Sequence, residues 1–126
     1  MRCPVVLCVD DAEEILSFYQ NLLGNYGYAV MVAAGGVAAL ELFQPTVSPI
    51  DAVILDFQMP GVTGLELAIS LKRLDPELPV VMVAGSCPRL EEMSPFVDSV
   101  IPKGTSMRMI ADRIELLLEA ARPAGN

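Results

Sequence analysis

Histidine and tryptophan are absent from this chain, and lysine occurs only at Lys72 and Lys103. Without histidine there is no Ser-His-Asp triad, no histidine-based zinc centre and no phosphohistidine on the chain itself. Cysteine is scarce. Cys3, Cys8 and Cys87 are odd in number and form no C-x-x-C pair, and Cys8 lies in an apolar run that reads as core. No apolar stretch approaches the roughly 18 residues that span a bilayer. The Met1-Arg2-Cys3-Pro4 start runs into a short apolar segment cut off at Asp10-Asp11, which is not the layout of a signal peptide. These absences predict a soluble, cytoplasmic chain with no membrane partner. Basic residues are also few: eight Lys and Arg stand against sixteen acids, giving a formal charge of −8. With no basic stripe, direct nucleic-acid binding is disfavoured. Where the surplus acids converge, a divalent cation is a natural ligand. Gly35-Gly36 belongs to neither a G-x-G-x-x-G nor a P-loop pattern, so no phosphate cradle is present.

What the chain does have is apolar residues, 53% of its 126, with a mean hydropathy of +0.50. That suits one domain with a substantial core and excludes disorder. Short apolar runs alternate with helical patterns. Strands are predicted over 5–9, 29–32, 52–56, 79–83 and 96–101. Helices are predicted over 12–25, from Gly35-Gly36 to about Gln44, over 65–74, briefly between Pro88 and Pro95, and over 105–121. Asp11 and Glu14 read as a capping box for the first helix. Its inner face is predicted from the spacing of Ile15, Leu16, Tyr19, Leu22, Leu23 and Tyr26. That of the last helix is predicted from Met107, Ile110, Ile114, Leu117, Leu118 and Ala121. Strand–helix alternation implies right-handed crossovers and a parallel sheet covered on both faces. The expected domain is 1–122, with 123–126 a tail or truncated linker. A stand-alone unit and a piece of a longer regulator both fit this layout.

The organising stretch is Asp51–Gly64, DAVILDFQMPGVTG. Four apolar residues lead to Asp56, then to a turn with Met59-Pro60-Gly61. A carboxylate ending a buried strand belongs at the sheet's rim, where open α/β sheets bind ligands. Asp10 and Asp11 end the first strand, and Lys103 follows the fifth. If these converge, three carboxylates repel one another unless a cation neutralises them, and magnesium suits such oxygen donors. A carboxylate beside the ion with an ammonium opposite is equipped to attack phosphorus.

The VDDAEE segment, the D-x-x-M-P-x-x-x-G pattern of Asp56 to Gly64 and the lysine after strand five together resemble the response-regulator receiver domain over nearly the whole chain. The resemblance implies a doubly wound, flavodoxin-like α/β fold with strand order 2-1-3-4-5 and helices on both faces. It implies that Asp56 accepts a phosphoryl group from a sensor histidine kinase or His-phosphotransfer protein, and that Lys103 contacts it. It further implies magnesium held by Asp10, Asp11, Asp56 and the backbone carbonyl of Gln58. Such a chain is not an enzyme acting on an external substrate. It assists its own phosphorylation and hydrolysis, and signals to a downstream protein of unknown identity.

Several switch positions depart from the pattern. Ala84-Gly85 stands where a Thr or Ser followed by Ala is usual, with Ser86 two residues late. Val100 replaces the usual aromatic, Lys103-Gly104 replaces Lys-Pro, and the segment from Ala84 to Lys103 is about one helical turn short. These departures leave open a pseudo-receiver that signals without phosphate. A magnesium-dependent phosphatase of the haloacid-dehalogenase type fits poorly, because Asp10-Asp11-Ala12 lacks D-x-D and Asp56 follows strand three.

Overall fold

The structure is a computed structural model, and residues 3–43, 49–85 and 90–121 are described. Five parallel strands form one sheet in the order β2-β1-β3-β4-β5. They are β1 (Val5–Val9), β2 (Ala29–Ala33), β3 (Ala52–Asp56), β4 (Val80–Ala84) and β5 (Ser99–Pro102). The helices are α1 (Glu13–Gly24), α2 (Gly36–Leu42), α3 (Gly64–Leu74), α4 (Leu90–Met93) and α5 (Met107–Ala121). The expected fold class and strand order are therefore observed. Every residue of β3 and of β4 is buried, as strands covered on both faces must be. One apolar cluster joins α2 and α3 to the sheet through Ala39, Phe43, Leu67 and Leu71. The other joins α1 and α5 through Leu16, Leu23, Ile110 and Ile114.

Several boundaries differ from those expected, each for a local reason. β4 starts at Val80 rather than Pro79, because Val80 has an N–H to give and donates it to Asp98 Oδ2 at 2.8 Å. β5 starts at Ser99, not at Phe96. The Phe96 amide turns back to the Met93 carbonyl, and Asp98 is drawn off to cap Val80 and pair with Lys72 at 2.9 Å. α5 starts at Met107, since Thr105 Oγ1 donates to the Pro102 carbonyl and Ser106 Oγ accepts from the Met109 amide. Asp11 and Glu14 form no capping box. Ala12 is the N-cap of α1, and Asp10 Oδ1 takes the Ala12 amide instead. The capping box that does form is Thr63 with Glu66 at the start of α3. Ile15, Tyr26 and Ala121 are exposed, so the apolar stripes of α1 and α5 are narrower than their spacing suggested. The expected end of α2 at Gln44 and the candidate Ser86 lie outside the described residues.

Candidate functional site

Parallel pairing of β1 with β3 sets the geometry. Val9 stands opposite Leu55, so the next residues, Asp10 and Asp56, leave the sheet side by side at its C-terminal rim. Asp11 follows at the exposed edge. Oxygens of Asp10, Asp11 and Asp56 all lie within 4.8 Å of one another. Lys103 arrives from the far side. Ala84 pairs with Pro102 at the end of the β4–β5 ladder, and the Lys103 amide donates to the Ala84 carbonyl at 3.0 Å. Gly104 then turns the chain with φ +88°, a conformation that side-chain-bearing residues rarely adopt. So held, Lys103 Nζ lies 3.3 Å from Asp56 Oδ1.

Asp56 sits at the rim yet is only 4% exposed. Its charge is met by Lys103 and by the Gln58 amide, which donates to Oδ1 at 3.3 Å. Asp10 is also buried. Burial pushes its carboxyl above the ordinary value; the Ala12 amide pulls it back, and the charges of Asp56 and Asp11 push it further up. A set made only of oxygen donors, one of them buried and pressed further by its neighbours' charges, fits a hard divalent cation such as magnesium. Gln58 lies two residues beyond Asp56, in the loop between β3 and α3.

That loop closes because residue 64 has no side chain. A Cβ on Gly64 would strike the Asp56 carbonyl oxygen, Met82 Sδ and the Phe57 Cα. The Gly64 amide instead donates to the Phe57 carbonyl at 3.1 Å. Of the switch positions, Ala84 is 2% exposed at the end of β4, and Gly85 beside it is exposed. Val100 faces the α2–α3 cluster from β5, opposite Met82.

A cavity of about 480 Å³ opens beside the acids and runs between α1 and α5. Asp10, Asp11, Asp56 and Lys103 form one end, and Ile15, Phe18, Met107 and Ile110 line the other. Sequence reasoning did not place Tyr19 there. It read as one more member of an apolar stripe, and the missed signal was a hydroxyl in that stripe's middle.

A doubly wound sheet with acids from β1 and β3 and a lysine after β5 defines a class, and comparison with known proteins agrees. The family model for the response regulator receiver domain matches residues 6–115. The chain is 32% identical over 118 residues to the sensor histidine kinase GacS of Pseudomonas protegens, covering 87% of this chain and 13% of that protein. It is 30% identical over 121 residues to the response regulator MprA of Mycobacterium leprae, covering 94% of this chain and 52% of that protein. Among solved structures, a response regulator receiver domain protein of Clostridium thermocellum superposes with a TM-score of 0.86 at 22% identity, covering 93% of this chain and 95% of that one. The response regulator TrrA of Thermotoga maritima, solved with Mg2+ and BeF, superposes with a TM-score of 0.80 at 25% identity over 90% and 98% of the two chains. The chain belongs to the response regulator receiver domain family of two-component systems. It spans about half the length of the matched regulator and a small part of the kinase.

Proposed function

We propose that this receiver is a phosphoacceptor, with Asp56 as the acceptor. A phosphohistidine on a sensor kinase or His-phosphotransfer protein is the donor. An Asp56 carboxylate oxygen attacks phosphorus, the O–P bond forms as the P–N bond breaks, and the electron pair and a proton end on the donor imidazole. The observation that carries this reading is the 3.3 Å approach of Lys103 Nζ to Asp56 Oδ1 beside two further carboxylates. The ammonium would neutralise a phosphoryl oxygen while the acceptor oxygen stays buried from competing water. Magnesium would be held by Asp10, Asp11, Asp56 and the Gln58 carbonyl, and when bound it supplies positive charge against the transferred group's oxygens. TrrA, solved with Mg2+ and BeF, supports that assignment by similarity.

The acylphosphate would carry about −1.5 to −2 charges in place of the single negative charge of the Asp56 carboxylate. The segment after Ala84 would respond and change a surface read by a downstream protein. The chain assists only its own phosphorylation and dephosphorylation. A second reading, a pseudo-receiver that docks partners without phosphate, is favoured by one observation: Ala84 puts no hydroxyl beside the acceptor.

Acetyl phosphate with magnesium separates the two. The expected outcome is a mass gain of one phosphoryl group that disappears in Asp56→Asn. No gain from acetyl phosphate or from any partner kinase would leave the pseudo-receiver standing.

A further inference from the structure

Three residues of α1 are buried, Leu16, Tyr19 and Leu23, and only Tyr19 carries a polar atom. Its side chain packs in one cluster with Cys8, Ile54, Val83 and Ile110, leaving the residue 5% exposed. Among the described residues its hydroxyl makes no hydrogen bond to protein, yet no sealed polar side-chain atom lacks a partner. The hydroxyl is therefore not sealed from solvent, and Tyr19 lines the same cavity as Asp10, Asp56 and Lys103. Burial, then the neighbouring Cys8, Asp10 and Asp56, push the phenol's pKa up, so it remains a protonated donor beside those carboxylates. Phenylalanine would fill the same volume without a hydroxyl that needs a partner.

We propose that the Tyr19 hydroxyl is an outer hydrogen-bond partner of the acid set, holding the Asp10 and Asp56 carboxylates, through cavity water, in the arrangement that takes a divalent cation. The inference rests on the reading of Asp10, Asp11 and Asp56 as a cation site. Ligating carboxylates are themselves oriented by hydrogen bonds, and losing such a partner typically weakens metal binding by about 10- to 100-fold. Tyr19 is thus a positioning residue that touches neither phosphorus nor the ion.

The test is calorimetric titration of Mg2+ into the wild-type chain and Tyr19→Phe, with melts of both in chelator. Tyr19→Phe is expected to bind Mg2+ about ten-fold more weakly while keeping the wild-type chelated Tm. Equal affinities would overturn the role of Tyr19 and leave the cation site intact. A wild-type chain that binds no Mg2+ would overturn the cation reading, and the role of Tyr19 with it. Leu23→Ala, a core truncation on the same helix, is the control for packing. If it weakens Mg2+ binding as much as Tyr19→Phe does, the effect belongs to packing and the proposal is wrong.

Discussion

At Asp56, a strand buried on both faces delivers a carboxylate that is nearly unexposed, and one ammonium at 3.3 Å meets it. Lys103 is half exposed, so water already screens the pair, and its net contribution to stability is about 1 kcal/mol or less. Under the proposed function its contribution to reactivity would be of another order, because charge developing on a phosphoryl group is stabilised only by groups already in place. Lys103→Met is therefore expected to melt close to the wild type while taking phosphate from acetyl phosphate about a hundred-fold more slowly. Time-resolved mass spectrometry measures the rate, and an unchanged rate would remove Lys103 from the site.

Asp10 obeys a different balance. Its folded pKa is raised, first by burial, so the native state holds this proton more tightly than the unfolded chain. Stability from this group is present below the ordinary carboxylate value of 3.8 and is lost as pH rises through the raised folded value. At neutral pH, without a cation, Asp10 is a net liability. Asp10→Asn keeps an oxygen for the Ala12 amide, so it is expected to melt higher than the wild type in chelator at pH 7. The gap should close as the pH falls toward 3.8. A lower Tm for Asp10→Asn throughout would show that the buried Asp10 charge carries no net cost.

Among the elements, the β3–α3 junction fixes the position of Asp56. Gly64 is the first residue of α3, and a methyl there would press on the Asp56 carbonyl and Met82. Gly64→Ala is expected to cost about 1–3 kcal/mol, read as a denaturation midpoint shift, and to slow phosphorylation by displacing Asp56. Much of this frame was legible from residue order alone. Apolar runs ending in acids marked β1 and β3, and the lysine after β5 stood where its partner carboxylate required. The switch departures at Ala84 and Val100 were legible too, being single-residue identities.

What escaped sequence reading was set by tertiary contact. The apolar spacing from Phe96 to Ile101 puts Asp98 inside β5, whereas its carboxylate is engaged by Val80 and Lys72. Asp11 looked like a cap, but Asp10 had already taken the Ala12 amide. The close approach at Gly64 and the cavity under Tyr19 depend on elements remote in sequence, which no local pattern encodes.

Taken whole, the molecule carries its negative charge in two forms, diffuse over the surface and crowded at one rim. A formal charge of −8 spread over 126 residues is a diffuse repulsion that any salt screens, whereas three carboxylates within 4.8 Å are a local one. The two respond differently to added ions. A specific cation stabilises by mass action, about 2.7 kcal/mol at a hundred times its Kd, and Tm then keeps rising with the logarithm of its concentration. Screening alone is indifferent to which salt is used and to which acid is removed. Melts in MgCl2 and in KCl at equal ionic strength are therefore expected to diverge for the wild type, with the larger rise in MgCl2. Asp11→Asn, which removes an exposed carboxylate of the cluster without opening the core, is expected to shrink that divergence. Asp112, on α5 and outside the cluster, supplies the control: Asp112→Asn changes the net charge equally and should preserve the full divergence. If the two salts raise Tm alike, or if both variants behave as one, the rim is only part of the diffuse charge and holds no ion of its own.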